Sequence, residues 1–130
     1  MEALGQHLLV ELYDCNPSRI NDAGAVEEAL VEAVERSGAQ IVQPFFHQFS
    51  PHGISGVVVI AESHFTIHTW PEYGYCAVDI FTCGDRIRSE EAVQHLRRAL
   101  EAGSISVMET KRGILSLTGE ALSHKPVTVG

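Results

Sequence analysis

The chain has 130 residues, 45% of them hydrophobic and 20% charged, with a formal net charge of −8. That length holds one domain with a real core and leaves no room for a comfortable second. The acidic balance argues against a nucleic-acid partner, whose phosphates require a basic face, and no window reaches the roughly 18 uninterrupted apolar residues of a membrane span.

The opening MEALGQHLLVEL has no basic segment ahead of an apolar one, so no signal peptide is expected. Residues 5–15, GQHLLVELYDC, alternate as a strand, with His7, Leu9 and Glu11 on one face and Leu8, Val10 and Leu12 on the other. Asn16-Pro17 breaks the strand and opens a helix whose apolar stripe runs through Val26, Leu30, Ala33, Val34 and Ser37. Gly38 is a natural stop for that helix.

Residues 39–49 read as a strand, SPHG (50–53) as a turn, and ISGVVVIAES (54–63) as a β-branched strand buried on both faces. Strands over 64–70 and 75–83 flank a PEYG turn. Ser89 is placed to cap a second helix with the stripe Ala92, Val93, Leu96, Ala99 and Leu100; Gly103 ends it, and 104–110 form a last strand. The stretch from Gly113 reads as a loose polar tail. Short links between the middle strands favour antiparallel pairing. The expected fold is therefore α+β, a two-layer sandwich with a mainly antiparallel sheet and two helices on one face, as a single domain over 1–130.

The segment AESHFTIHTWPEYGYCAVDIFTCG (61–84) sets Ser63, His64, His68, Glu72, Asp79 and Cys83 among strand-forming residues. A metal centre is one reading, since His47, His52, His64 and His68 lie close in sequence. On a strand, however, His64 and His68 stand about 13 Å apart, and no HxH or HExxH is present. A serine or cysteine hydrolase is another, but the chain lacks a GxSxG elbow. A third reading centres on Glu62-Ser63. A serine hydroxyl can attack the preceding carbonyl to give an ester; β-elimination then cuts the chain, and hydrolysis leaves an N-terminal pyruvoyl group. That chemistry needs a strained serine, a base and a donor for the tetrahedral adduct.

The stretch SGVVVIAESHFTIHTWPEYGYCAVDIFTCG resembles the core of the small prokaryotic S-adenosylmethionine decarboxylase proenzymes. LGQHLLVELYDC resembles their first strand and FHQFSPHGISG their substrate loop, so the likeness runs from about residue 3 to residue 110. Gln6 departs from the basic residue common there, and little resemblance remains after Gly113. The resemblance implies cleavage between Glu62 and Ser63 into a β chain of 1–62 and an α chain of 63–130. Ser63 would become the pyruvoyl group that binds substrate as a Schiff base. His68 would accept the proton in processing, with Ser55 assisting, and Cys83 would be the proton donor in catalysis. Glu72 would grip the ribose hydroxyls and Phe49 would stack on adenine.

On this reading the product is decarboxylated S-adenosylmethionine, the aminopropyl donor for polyamine synthesis. The working unit would be a cytoplasmic homodimer with its sites at the interface. It would use neither a metal nor pyridoxal phosphate, which fits a chain whose only lysines are Lys111 and Lys125. Two other functions share these motifs: a pyruvoyl-dependent arginine or ornithine decarboxylase, and an unprocessed nucleoside-binding homologue. Cys15 and Cys76 read as small buried hydrophobes and Asp79 as a buried acceptor; Trp70 reads as packing, and His47 and His52 as exposed or loop-supporting.

Overall fold

The computed structural model describes residues 3–84 and 86–115. The chain runs β1 (Gly5–Tyr13), α1 (Pro17–Ile20), α2 (Ala23–Ser37), β2 (Gln40–Gln48), β3 (Ile54–Ala61), β4 (Ser63–Trp70), a 3-10 turn (Pro71–Tyr73), β5 (Tyr75–Cys83), α3 (Ser89–Ala99) and β6 (Ser104–Arg112). The six strands form one sheet in the order β2-β3-β4-β5-β1-β6, and every neighbouring pair is antiparallel. The α+β reading holds. The expected loose tail lies outside the described residues from 116 onward.

Three local expectations are corrected. The predicted first helix is two, because Asp22 interrupts it and recaps: its side chain accepts from the Ala25 amide, while Asn16 caps α1 in the same way. Ser89 is not a cap but the first residue of α3; Arg88 holds the cap position and makes no side-chain cap bond. Strand β3 is buried on one face only. Ile54, Val58 and Ile60 are buried, whereas Val59 is 40% exposed.

The same alternation runs through the neighbouring strands. Val10 and Leu12 of β1, Phe65 and Ile67 of β4, and Val78 and Ile80 of β5 are buried on the helix side. They pack with Val26, Leu30, Ala33 and Val34 of α2 and Val93 and Leu96 of α3. Each such side chain contributes roughly 1.5–3 kcal/mol by leaving water. Gly56 faces the same side and leaves the room that the Phe46 ring fills. Strand β2 lies at the sheet edge, which is where Pro44 can withhold an amide hydrogen and a register shift near Ile41 is tolerated.

Among the described residues, the opposite face carries no helix. The register aligns on it His7, Leu9, Glu11 and Tyr13 of β1 and Ser55, Val57 and Val59 of β3. His64, Thr66, His68 and Trp70 of β4 and Asp79, Phe81 and Cys83 of β5 complete it. Leu9, Tyr13, Phe45, Val59, Trp70 and Met108 leave it with exposed apolar surface.

The helix layer contains one acid-sensitive contact. His95 of α3 is buried, with Nε2 3.2 Å from Glu32 Oε2 of α2 but without the alignment of a hydrogen bond. Burial, together with Arg36 and Arg98, holds its pKa below the ordinary histidine value, and Glu32 only partly offsets this. The neutral ring is thus the form the fold stabilises. Its contribution is full above about pH 6.5 and is lost as the pH falls below that towards the lowered folded value. His95→Gln should flatten the acid limb of a stability-versus-pH curve below about pH 6.5. An unchanged limb would show that His95 does not set it.

Candidate active site

Ser63 opens β4 immediately after the tight β3–β4 hairpin. Ile60 pairs with Ser63 across the hairpin, and Thr82 pairs with it from β5. Two-residue hairpins usually put positive φ on the loop residues. Here neither Ala61 nor Glu62 has it; Ser63 does, at φ 122°. A non-glycine residue held there costs on the order of 1–3 kcal/mol and persists only because pairing on both sides fixes it. The serine whose preceding peptide bond is the expected scissile one is therefore strained, on one of the two central strands of the sheet.

Cys83 ends β5, one residue beyond the partner of Ser63, and is itself paired with Gly5 of β1. Gly84 follows with φ +85° and open space around it. The structure thus brings Glu62, Ser63 and Cys83 to one end of the β4–β5 pair.

The other expected residues gather at the opposite end of β4. Ser55 and His68 face each other across β3 and β4, with Ser55 Oγ 2.8 Å from His68 Nδ1. With Phe45, His47, Phe49, Val57 and Thr66 they line a concavity of about 290 Å³. Phe49 is 49% exposed and so is not a core residue, and His47 meets it edge-on at 4.6 Å. Glu72 lies on the 3-10 turn that directly follows β4, with Oε2 3.0 Å from His52 Nε2. Its own backbone amide holds its carboxyl below the usual carboxylate range; burial opposes this, and His52 adds a further lowering.

His68 and Ser63 are five residues apart on one strand, or about 16 Å at strand rise. A base must come within about 3 Å of the proton it takes. Within one chain, then, Phe49, Ser55 and His68 line one concavity, and Glu72 lines a separate cleft with His52, Asn21 and Pro17 at the same end of β4; Ser63 and Cys83 stand at the other end, and the two groups do not meet.

Between them lies a network that the sequence did not reveal. Asp79 accepts from Thr66 Oγ1 at 3.0 Å and contacts His7 Nε2 at 3.0 Å; Arg112 reaches His7 Nδ1 at 3.3 Å. His7 stacks on Phe81, and His64 meets the same ring edge-on. Towards the far end, Tyr75 donates to Glu11 at 2.7 Å and stacks with both Trp70 and Tyr13, so Trp70 does stack as well as pack. Burial, then Glu11, drives the Tyr75 pKa up. Cys15 and Cys76 are buried against each other beneath this face, as small apolar residues would be. Among the described residues, no three side chains of histidine, cysteine, aspartate or glutamate cluster as metal ligands would.

Among the described residues, a six-stranded antiparallel sheet, helices on one face only, and a strained serine opening a central strand define a narrow structural class. A family model described as S-adenosylmethionine decarboxylase matches residues 6–113. The S-adenosylmethionine decarboxylase proenzyme of Thermodesulfovibrio yellowstonii is 54% identical over 125 residues, covering 96% of this chain and 93% of that one. The proenzyme of Acidithiobacillus ferrooxidans is 49% identical over 119 residues, covering 92% and 90%. The crystal structure of the adenosylmethionine decarboxylase from Aquifex aeolicus superposes with a TM-score of 0.81 at 36% identity, over 88% of this chain and 95% of that one. The chain belongs to the S-adenosylmethionine decarboxylase family. Proenzymes of this family are pyruvoyl-dependent, the pyruvoyl group arising from a serine by self-cleavage.

Proposed function

We propose that this chain is a self-processing decarboxylase of S-adenosylmethionine, cut between Glu62 and Ser63 into pieces of 1–62 and 63–130. The observation that carries the proposal is Ser63 itself: a hydroxyl residue held at φ 122° between two paired strands, directly after the bond to be broken. Ser63 Oγ attacks the Glu62 carbonyl and exchanges the amide for an ester. A base removes the Ser63 α-proton, and the ester leaves as the Glu62 carboxylate. The dehydroalanine left at residue 63 takes up water and loses ammonia, giving the pyruvoyl group. Once formed, that group supplies the electron sink that decarboxylation of an amino acid needs.

His68 suits the role of base. In the tautomer whose Nδ1–H donates to Ser55 Oγ, the ring is fixed and Nε2 is left to accept a proton. Cys83, beside the strand end that holds Ser63, returns a proton to the carbon from which carbon dioxide has left. Phe49 offers its exposed ring to adenine, and the ionised Glu72 accepts from the two ribose hydroxyls.

Because the two groups of residues lie at opposite ends of β4, we infer that each working site is made by two copies. Packing the helix-free faces about a two-fold axis brings the Ser63 end of one chain to the His68 end of the other, twice over. It also covers Leu9, Phe45, Val59, Trp70 and Met108. The test is complementation. Neither Ser63→Ala nor His68→Ala should cleave when folded alone. When the two are co-folded, roughly half of the His68→Ala chains should be cut, those paired with a Ser63→Ala chain that supplies His68. If intact-mass analysis finds the mixed dimer and every chain in it whole, the two-copy site is wrong.

A further inference from the structure

The loop between β2 and β3 carries a residue for which the proposed chemistry has no role, His52. Phe49 donates from its backbone to the Gly53 carbonyl at 2.8 Å, closing residues 49–53 into one short ring. That ring is pinned from outside. Gly53 donates to Asn21 Oδ1 at 3.1 Å, and Gln48 Nε2 donates to the Asn21 carbonyl at 2.9 Å. The turn bearing Glu72 is anchored beside it, since Thr69 Oγ1 donates to the Ile20 carbonyl and accepts from the Ile54 amide. His52 bridges the two segments, its Nε2 3.0 Å from Glu72 Oε2, with both side chains over a third exposed.

We propose that His52 is the positioning residue of the nucleoside pocket. It ties the Glu72 carboxylate to the five-residue loop that carries Phe49, and so makes the site selective for a nucleoside with an intact 2′,3′-diol. The inference rests on the ribose role of Glu72 given above. A carboxylate has about four acceptor positions, so a single bond from His52 leaves enough for two ribose hydroxyls. Without His52, Glu72 stands on an exposed turn and must lose its own side-chain freedom whenever ligand binds, which weakens binding. His52 touches neither the Glu62–Ser63 bond nor Cys83, so it should alter affinity and leave self-cleavage alone.

The test is calorimetric titration of processed protein with 5′-methylthioadenosine and with its 2′,3′-dideoxy counterpart. His52→Ala should weaken the diol ligand about tenfold, the scale of one charge-assisted hydrogen bond, and leave the dideoxy ligand unchanged. His52→Gln, which keeps an N–H donor, should recover most of the loss. KM for S-adenosylmethionine should rise in parallel while kcat stays within about twofold. Equal weakening of both ligands would show that His52 merely supports the loop, and weakening of neither would show that it does nothing; either result overturns the inference. Glu72→Gln separates the two layers. If it weakens the diol ligand and His52→Ala does not, only the role of His52 is wrong. If it weakens neither ligand, the ribose role of Glu72 falls, and the inference with it.

Discussion

Ser63→Ala should leave the chain whole, as a single species of 14.2 kDa, with carbon dioxide release at the level of a blank. Alanine removes the only atom at position 63 that can attack the Glu62 carbonyl, so no ester forms and no elimination follows. Without cleavage there is no pyruvoyl carbonyl, so hydroxylamine should find nothing to modify. The substitution is small and sits at the start of a strand, so the fold should survive, and circular dichroism will verify this. The loss would then be chemical rather than structural. A Ser63→Ala chain that is cut at residue 62, or that still decarboxylates, would contradict the mechanism at its first step.

Cys83→Ala should separate maturation from turnover. Cys83 is one residue past the pairing partner of Ser63 and is not asked to do anything in the cleavage sequence. The variant should therefore mature into 1–62 and 63–130, and its pyruvoyl group should form. Turnover then needs a proton at the carbon that has lost carbon dioxide, and water must replace a positioned thiol. A fall of roughly 10²-fold or more in kcat is expected, the usual worth of a general acid. Protonation at the wrong carbon, seen by mass spectrometry of the product, would point the same way. A kcat equal to that of the wild type would remove Cys83 from the mechanism.

These two residues also show how far the sequence could be read. The strands that hold them were legible because β-branched runs between Pro51, Gly53, Pro71 and Gly74 leave few other choices. The short links among β3, β4 and β5 fixed their antiparallel order. The position of β1 between β5 and β6 was not legible, since nothing local to Gly5–Tyr13 chooses its neighbours. With it went the contact of His7 with Asp79, side chains 72 positions apart.

Site residues were identified by resemblance rather than by pattern. Periodicity puts His64, Thr66 and His68 on one face but says nothing of Ser63 being strained. The same rise per residue that argued against a two-histidine metal pair also argues against His68 serving its own Ser63. In the sequence His52 reads as exposed or loop-supporting; its bond to Glu72 joins a loop and a turn whose proximity depends on the β3–β4 register. Asp22 does not stand out as a cap in the sequence, because the apolar stripe after it is continuous with the helix signal at Pro17.

On this mechanism the substrate that loses its carboxyl group at a carbonyl made from Ser63 is S-adenosylmethionine. Its adenine face suits the exposed Phe49 ring, and its ribose diol suits the ionised Glu72. Arginine and ornithine offer neither feature, and would need a carboxylate aimed at their distant cationic end. The most direct measurement is release of labelled carbon dioxide from carboxyl-labelled S-adenosylmethionine, arginine and ornithine, side by side on processed protein. Rapid release from S-adenosylmethionine, with the two amino acids at background, is the predicted result. Release from arginine or ornithine with S-adenosylmethionine inert would contradict it.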